Sequence, residues 1–148
     1  LDSTQNPATR SELFCVHRHE VPHAWPEIER CICRVKDVPW SLSDVRGFLE
    51  DGKALAWGLR DERDVLGFWI TRIEGGYAAK YGLVWICAGA GIDLGLSKYF
   101  EIIEPWFWAQ GCEWIEINGR KGWKRVMPGY DEVAVTLRKY RDVQRHAE

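Results

Sequence analysis

Apolar residues recur along the chain with two periods, close to two residues and close to three and a half, and each stretch predicts an element. Leu13 to Val21 reads as a first strand, with Cys15, His17 and His19 on one face. Pro26 suits the first turn of a helix, where no N–H is needed. Ile28, Cys31, Ile32 and Val35 follow at i, i+3, i+4 and i+7, and Pro39 ends that helix. Ser41 and Asp44 have the spacing of a capping box, so a second helix follows, with Val45, Phe48 and Leu49 inward and Gly52 closing it. Lys53 to Leu59 reads as a strand, with Leu55, Trp57 and Leu59 alternating against small residues. Arg60 to Asp64 is a polar turn, and Val65 to Ile73 completes a hairpin. That strand is apolar on both faces through Phe68, Trp69 and Ile70, so it is expected at the centre of a sheet. Gly75-Gly76 turns the chain, and Leu83 to Ala88 is a third buried strand running into Gly89-Ala90-Gly91.

Leu96, Phe100, Ile103 and Phe107 then have helical spacing, and Pro105 implies a kink or a late start. Gly111 can stop the helix, because a left-handed exit costs glycine little. From Trp114 to Asn118 the chain alternates: Ile115 and Ile117 point one way, while Trp114, Glu116 and Asn118 point the other. A short basic helix and a turn lead into a last strand, Asp131 to Tyr140, with Val133, Val135 and Leu137 alternating. The order is β-α-α-β-β-β-α-β-α-β. It implies an α/β (α+β) fold, a mixed and mostly antiparallel sheet with helices on both faces. The expected organisation is an N-terminal extension over 1–12, one domain over 13–140 and a polar tail over 141–148.

Composition narrows the class. With 148 residues and 46% apolar residues the chain can build one core. A formal net charge of −2 gives no global pull toward nucleic acid or an anionic membrane. No apolar run is long enough to span a bilayer, and no basic-then-apolar signal segment opens the chain. The first residue is Leu1 and the sole methionine is Met127, so a processed, trimmed or partial product is expected. Five cysteines form an odd set, read as reduced thiols of a cytosolic protein. Nine tryptophans exceed what a core of this size needs, which points to a Trp-rich surface for a protein partner or for self-association.

Two constellations invite other chemistry. His17, His19, His23, Cys31 and Cys33 suggest a metal, but Cys31 and Cys33 lie about 200° apart on a helix and cannot face one ion. No metal is expected. Arg120, Lys121, Lys124 and Arg125 surround Trp123, a pattern that can hold phosphate and stack a base. In a slightly acidic chain it reads first as a solvated helix face with Trp123 packed inward.

The element order over residues 13 to 140 resembles the GCN5-related N-acetyltransferase (GNAT) fold. Trp106-Phe107-Trp108-Ala109-Gln110-Gly111-Cys112, followed by Ile115-Glu116-Ile117 and by Gly119-Arg120-Lys121-Gly122-Trp123-Lys124-Arg125-Val126, is similar to GNAT-like proteins encoded by tailed bacteriophages. The resemblance implies transfer of an acyl group from acetyl-CoA to an amine, in the host cytoplasm or in association with the virion. The pantetheine would pair with main chain at Cys87 and Ala88, and Gly89, Gly91 and Gly95 would cradle the pyrophosphate. Glu116 would be the general base and Asn118 would face the acceptor. Arg120, Trp123 and Arg125 would meet substrate or partner. The loop lacks the family's leading basic residue and its spacing, and Asp93 adds a negative charge there. Arg125 stands where the family often has its tyrosine acid, which leaves Tyr130 as the candidate. Cys87 is read as core rather than nucleophile. These departures keep two alternatives open: a non-catalytic virion or interaction protein, and a nucleic-acid-modifying protein on the same fold.

Overall fold

Five strands form one sheet in the order β1-β2-β3-β4-β5: β1 Glu12–Val16, β2 Leu55–Arg60, β3 Val65–Gly75, β4 Lys80–Ala88 and β5 Ile115–Ile117. The computed structural model describes residues 10–36, 38–118, 125, 127–131, 133 and 139. The chain divides into two units, Leu1–Asn118 and Gly119–Glu148, and the sheet lies in the first. Pairing is antiparallel from β1 to β4 and parallel between β4 and β5. β3 is central, as its two apolar faces require. The α/β reading of a mixed, mostly antiparallel sheet with helices on both faces holds. The predicted helix after β5 and the last strand over Asp131 to Tyr140 lie largely outside the described residues.

Helix α1 (Val21–Ile32) and helix α2 (Leu42–Glu50) cover one face. Val21, Trp25, Ile28, Ile32, Val45 and Leu49 are buried there with Ala56, Phe68, Ile70 and Ile86 of the sheet. The capping box forms: Asp44 N–H donates to Ser41 Oγ at 3.1 Å, and Ser41 N–H donates to Asp44 Oδ2 at 2.9 Å. The Ser41 backbone donor holds the Asp44 carboxyl below its ordinary value.

The first strand is shorter than its apolar pattern. It stops at Val16, a 3-10 turn spans Arg18–Glu20, and α1 begins at Val21. Glu20 causes the break, because its side chain accepts from His17 N–H at 3.2 Å and its own N–H donates to the His17 carbonyl at 2.8 Å. Pro22, rather than Pro26, occupies the first turn of α1. His17 and His19 leave the strand, and their rings stack at 5.8 Å. The helix ends at Ile32, short of Val35 and well before Pro39.

The opposite face is covered by a composite helical run: a 3-10 turn Ile92–Gly95, helix α3 Leu96–Lys98, a π segment Tyr99–Ile103 and helix α4 Glu104–Ala109. Pro105 explains the π segment. It offers no N–H to the carbonyl four residues back, and the wider turn absorbs that loss. The extra residue per turn changes the phase, so Tyr99 rather than Phe100 is buried, stacked on Trp69 at 4.7 Å. Ile103 and Phe107 are buried as the spacing predicts. Gly111, at φ 86°, ends the run in the left-handed region.

One polar pair is fixed inside this second core. Trp57 Nε1 donates to Thr71 Oγ1 at 3.0 Å, and Thr71 Oγ1 donates to the Leu55 carbonyl at 3.4 Å. Both residues are buried, so removing the hydroxyl leaves an indole N–H with no acceptor. Thr71→Val is expected to cost about 1–3 kcal/mol, read as a lower urea midpoint with an unchanged denaturant slope. An unaltered midpoint would show that the hydroxyl does not satisfy Trp57.

Candidate active site

β4 carries one residue more than β3 can match. Thr71 pairs with Val84 and Ile70 with Ile86, which leaves Trp85 as a bulge. β5 pairs with β4 only through Gly82↔Ile115, Leu83↔Glu116 and Val84↔Ile117. Asn118 N–H makes the last contact, 3.5 Å from the Val84 carbonyl. Among the described residues β4 therefore has no partner on its β5 side over Trp85–Ala88. Pairing of the two strands, among the described residues, ends beside the bulge.

Register assigns the faces. Arg72 pairs with Leu83, and Leu83 with Glu116. The three form one row across the sheet on the face that carries α1 and α2. Tyr81 and Trp114 stack at 5.0 Å with their planes 5° apart, and Trp114 Nε1 donates to Glu116 Oε2 at 2.8 Å. Glu116 is half-buried and Asn118 is exposed. Glu116 thus sits one residue pair inside the last matched pair of β4 and β5 among the described residues. Trp114 holds one of its oxygens, and among the described residues the other has no hydrogen-bond partner.

A second group on this face was missed in the sequence. Phe48 and Trp85 lie 5.3 Å apart, and the Arg72 guanidinium sits 4.7 Å from each ring centroid. Arg72 also donates to Glu74 at 2.6 Å. Beside them opens a cleft of about 550 Å³. Its polar lining is His17, Arg18, Lys53, Arg72 and Glu74, and its apolar wall includes Phe48, Leu55 and Trp106. The available signal was the change in β3 from unbroken apolar residues to Arg72 and Glu74 alternating with Thr71 and Ile73.

The glycine loop sits at the far end of β4. Gly89 has φ 132°, and a Cβ there would overlap Gly67 Cα and the Leu66 carbonyl. A Cβ on Gly95 would lie 2.8 Å from Leu59 Cδ2, and one on Gly91 would lie 3.1 Å from Leu66 Cβ. These glycines let the loop close onto β3 and β2. Gly91 N–H donates to the Leu66 carbonyl at 3.0 Å and Ile92 N–H to the Gly89 carbonyl at 3.3 Å. The Asp93 side chain, Arg120 and Trp123 lie outside the described residues. In the second unit Arg125 is exposed and Tyr130 is half-buried, its N–H 3.2 Å from the Met127 carbonyl.

No family model matches the chain, and no curated protein matches it. Solved structures do. An aminoglycoside acetyltransferase from an uncultured soil metagenomic sample, in complex with sisomicin, superposes with a TM-score of 0.68 at 10% identity, over 93% of this chain and 100% of that one. The fold is that of the GCN5-related N-acetyltransferases. A GCN5-related N-acetyltransferase from Ralstonia eutropha JMP134 gives 0.61 at 11% identity, over 88% of this chain and 98% of that one. Glucosamine-6-phosphate N-acetyltransferase from Arabidopsis thaliana gives 0.59 at 12% identity, over 89% and 99%. Cys87 and Ala88 follow the bulge on β4, where among the described residues no β5 residue pairs with them. Among the described residues no cluster of three or more His, Cys, Asp or Glu could hold a metal ion, and no helix is long and apolar enough to cross a membrane.

Burial pushes the thiols of Cys87 and Cys31 above their ordinary value of 9.0. A thiol held protonated is a poor nucleophile. It also makes stability depend on pH. Below pH 9 both folded and unfolded thiols are protonated and the contribution is complete. Above it the unfolded chain loses protons that the folded chain keeps, so stability falls as pH rises. The urea midpoint is expected to drop between pH 8 and pH 10, and to drop less in Cys87→Ala. Equal drops in the two proteins would refute the burial of this thiol.

Proposed function

We propose that the chain is an acyl-CoA-dependent N-acyltransferase of the phage-encoded GNAT-like type, using acetyl-CoA and an amine acceptor. The observation that carries this reading is the Glu116 carboxylate beside the bulge of β4, one pair inside Val84↔Ile117, the last matched pair among the described residues. The residues fit acyl-CoA at the strand edge, where Trp85–Ala88 has no β5 partner among the described residues. An extended amide-bearing chain can pair with such an edge. In the loop Gly91 would contribute through its backbone shape, since its N–H is committed to Leu66.

Acyl-CoA would supply an activated thioester carbonyl. Glu116 takes the proton that the acceptor amine must lose before its nitrogen bonds to the acyl carbon. Trp114 fixes Glu116 Oε2 and leaves Oε1 to the amine or to one bridging water. Asn118, two residues further on the same face, orients the acceptor. Tyr130 is the candidate donor of the proton that the leaving sulfur needs, and Arg120, Trp123 and Arg125 are candidates for contact with substrate or partner. Cys87, held protonated, takes no covalent part, so transfer goes directly to the amine. An aminoglycoside, with many amines protonated near neutral pH, suits this face poorly, because Arg18, Lys53 and Arg72 would repel it.

Calorimetric titration of the purified protein with acetyl-CoA is expected to give micromolar binding, retained in Glu116→Gln. The same substitution should lower kcat/KM by about 10²–10⁴ in an amine screen. Absence of binding up to millimolar acetyl-CoA would overturn the reading.

A second reading has its own support. Trp108 is 48% exposed and Trp114 42%, which suits a surface that meets another protein. On this reading the fold is kept as a scaffold, in the virion or in a self-assembled oligomer. It expects a stable oligomer or co-purification with phage particles. A monodisperse monomer absent from particles would sink it.

A further inference from the structure

We propose that the cleft lined by Arg18, Lys53 and Arg72 is an anion site that takes the carboxylate or phosphate-monoester end of the acyl acceptor. Its role as an acceptor site rests on the acyltransferase reading above, whereas anion binding itself does not.

Charge is the first argument. Arg18, Lys53 and Arg72 line the cleft against one carboxylate, Glu74. Among the described residues neither Arg18 nor Lys53 has a carboxylate within 4.0 Å. Three cations around one cavity repel one another, and an anion between them relieves that repulsion. Preorganisation is the second argument. The Arg72 guanidinium lies against Phe48 and Trp85, its side chain is only 24% exposed, and Glu74 takes part of its donor capacity. A guanidinium fixed in this way, with donors to spare, suits a carboxylate or phosphate. Arg18 reaches the same cleft from beside Gly52.

Position is the third argument. Arg72, Leu83 and Glu116 form one row across three adjacent strands. Two strand spacings separate the ends of that row by roughly 10 Å. A small acceptor carrying an amine at one end and an anion at the other can span it. Phe48 gives its carbon skeleton an apolar wall on that face, and Leu55 and Trp106 line the cleft from the other face of the sheet.

The test is calorimetry on the full chain with four probes: inorganic phosphate, O-phosphoethanolamine, 4-aminobutyrate and neutral-ended ethanolamine. The anionic probes are expected to bind and ethanolamine not to. The ratio of phosphoethanolamine to aminobutyrate affinity tells phosphate from carboxylate. Arg18→Gln and Lys53→Gln lie on exposed side chains and should each weaken anion binding about tenfold. Glu74→Gln frees Arg72 and should tighten it several-fold, an effect a purely structural ion pair would not give. Equal binding of phosphate by Arg18→Gln, Lys53→Gln and the unmodified protein overturns the proposal. So does acyl transfer to ethanolamine as efficient as to the anionic amines, which would leave the acyltransferase reading standing. Anion binding that is lost in both variants, with no transfer to any amine, supports the anion site and counts against the acyltransferase reading.

Discussion

The unmatched residue at Trp85 sets what the rest of the sheet can do. A bulge bends its strand and increases the local twist. Here it falls beside Val84↔Ile117, the last β4–β5 pair among the described residues. It also brings two successive side chains to one face, since Trp85 and Ile86 both pack with the α1 and α2 core. Trp85 then meets Phe48 and Arg72, and the cleft beside them takes its shape from that contact. One inserted residue thus produces the aromatic seat of a fixed cation.

The far end of β4 is under a different constraint. The loop from Gly89 to Gly95 lies against β3 and β2 so closely that side chains at Gly89 and Gly95 would collide with them. This contact fixes where the helical run begins, and the run in turn brings Tyr99 onto Trp69 and Phe107 over Gly82. Glycines in such a loop are explained by packing before any ligand is considered. Whatever the loop binds, it binds with a backbone already held by the sheet, and a preorganised backbone loses little entropy on binding.

Much of this architecture is legible in the sequence because period and punctuation agree. Ser41 with Asp44, the apolar run around Trp69, Gly75-Gly76 and Gly111 each mark an element that forms. The errors have local causes. Glu20 bonding back to His17 ends β1 early, a side-chain contact that alternation does not reveal. Pro105 converts a regular helix into a π segment and moves the inward position from Phe100 to Tyr99. Glu116 and its face follow from alternation alone. The Arg72 cluster does not, because it joins Phe48 of α2, Trp85 of a bulge and Arg72 of another strand, and no local pattern records a meeting of three elements.

The row from Arg72 to Glu116 also fixes a direction. At roughly 10 Å, and with an effective dielectric constant of about 20, two opposite unit charges attract by only about 1–2 kcal/mol. Arg72 and Glu116 therefore do not neutralise each other, unlike Arg72 and Glu74 at 2.6 Å. Glu116, and the donors that Arg72 does not spend on Glu74, can each act on a molecule laid over the row. A molecule with an amine and an anion at its two ends is favoured at both ends in one orientation and disfavoured at both in the other. The favoured orientation brings the amine to Glu116, next to the last β4–β5 pair among the described residues. Binding and alignment for proton removal would then come from the same two charges, so an acceptor lacking the anion would lose its orientation as well as its affinity.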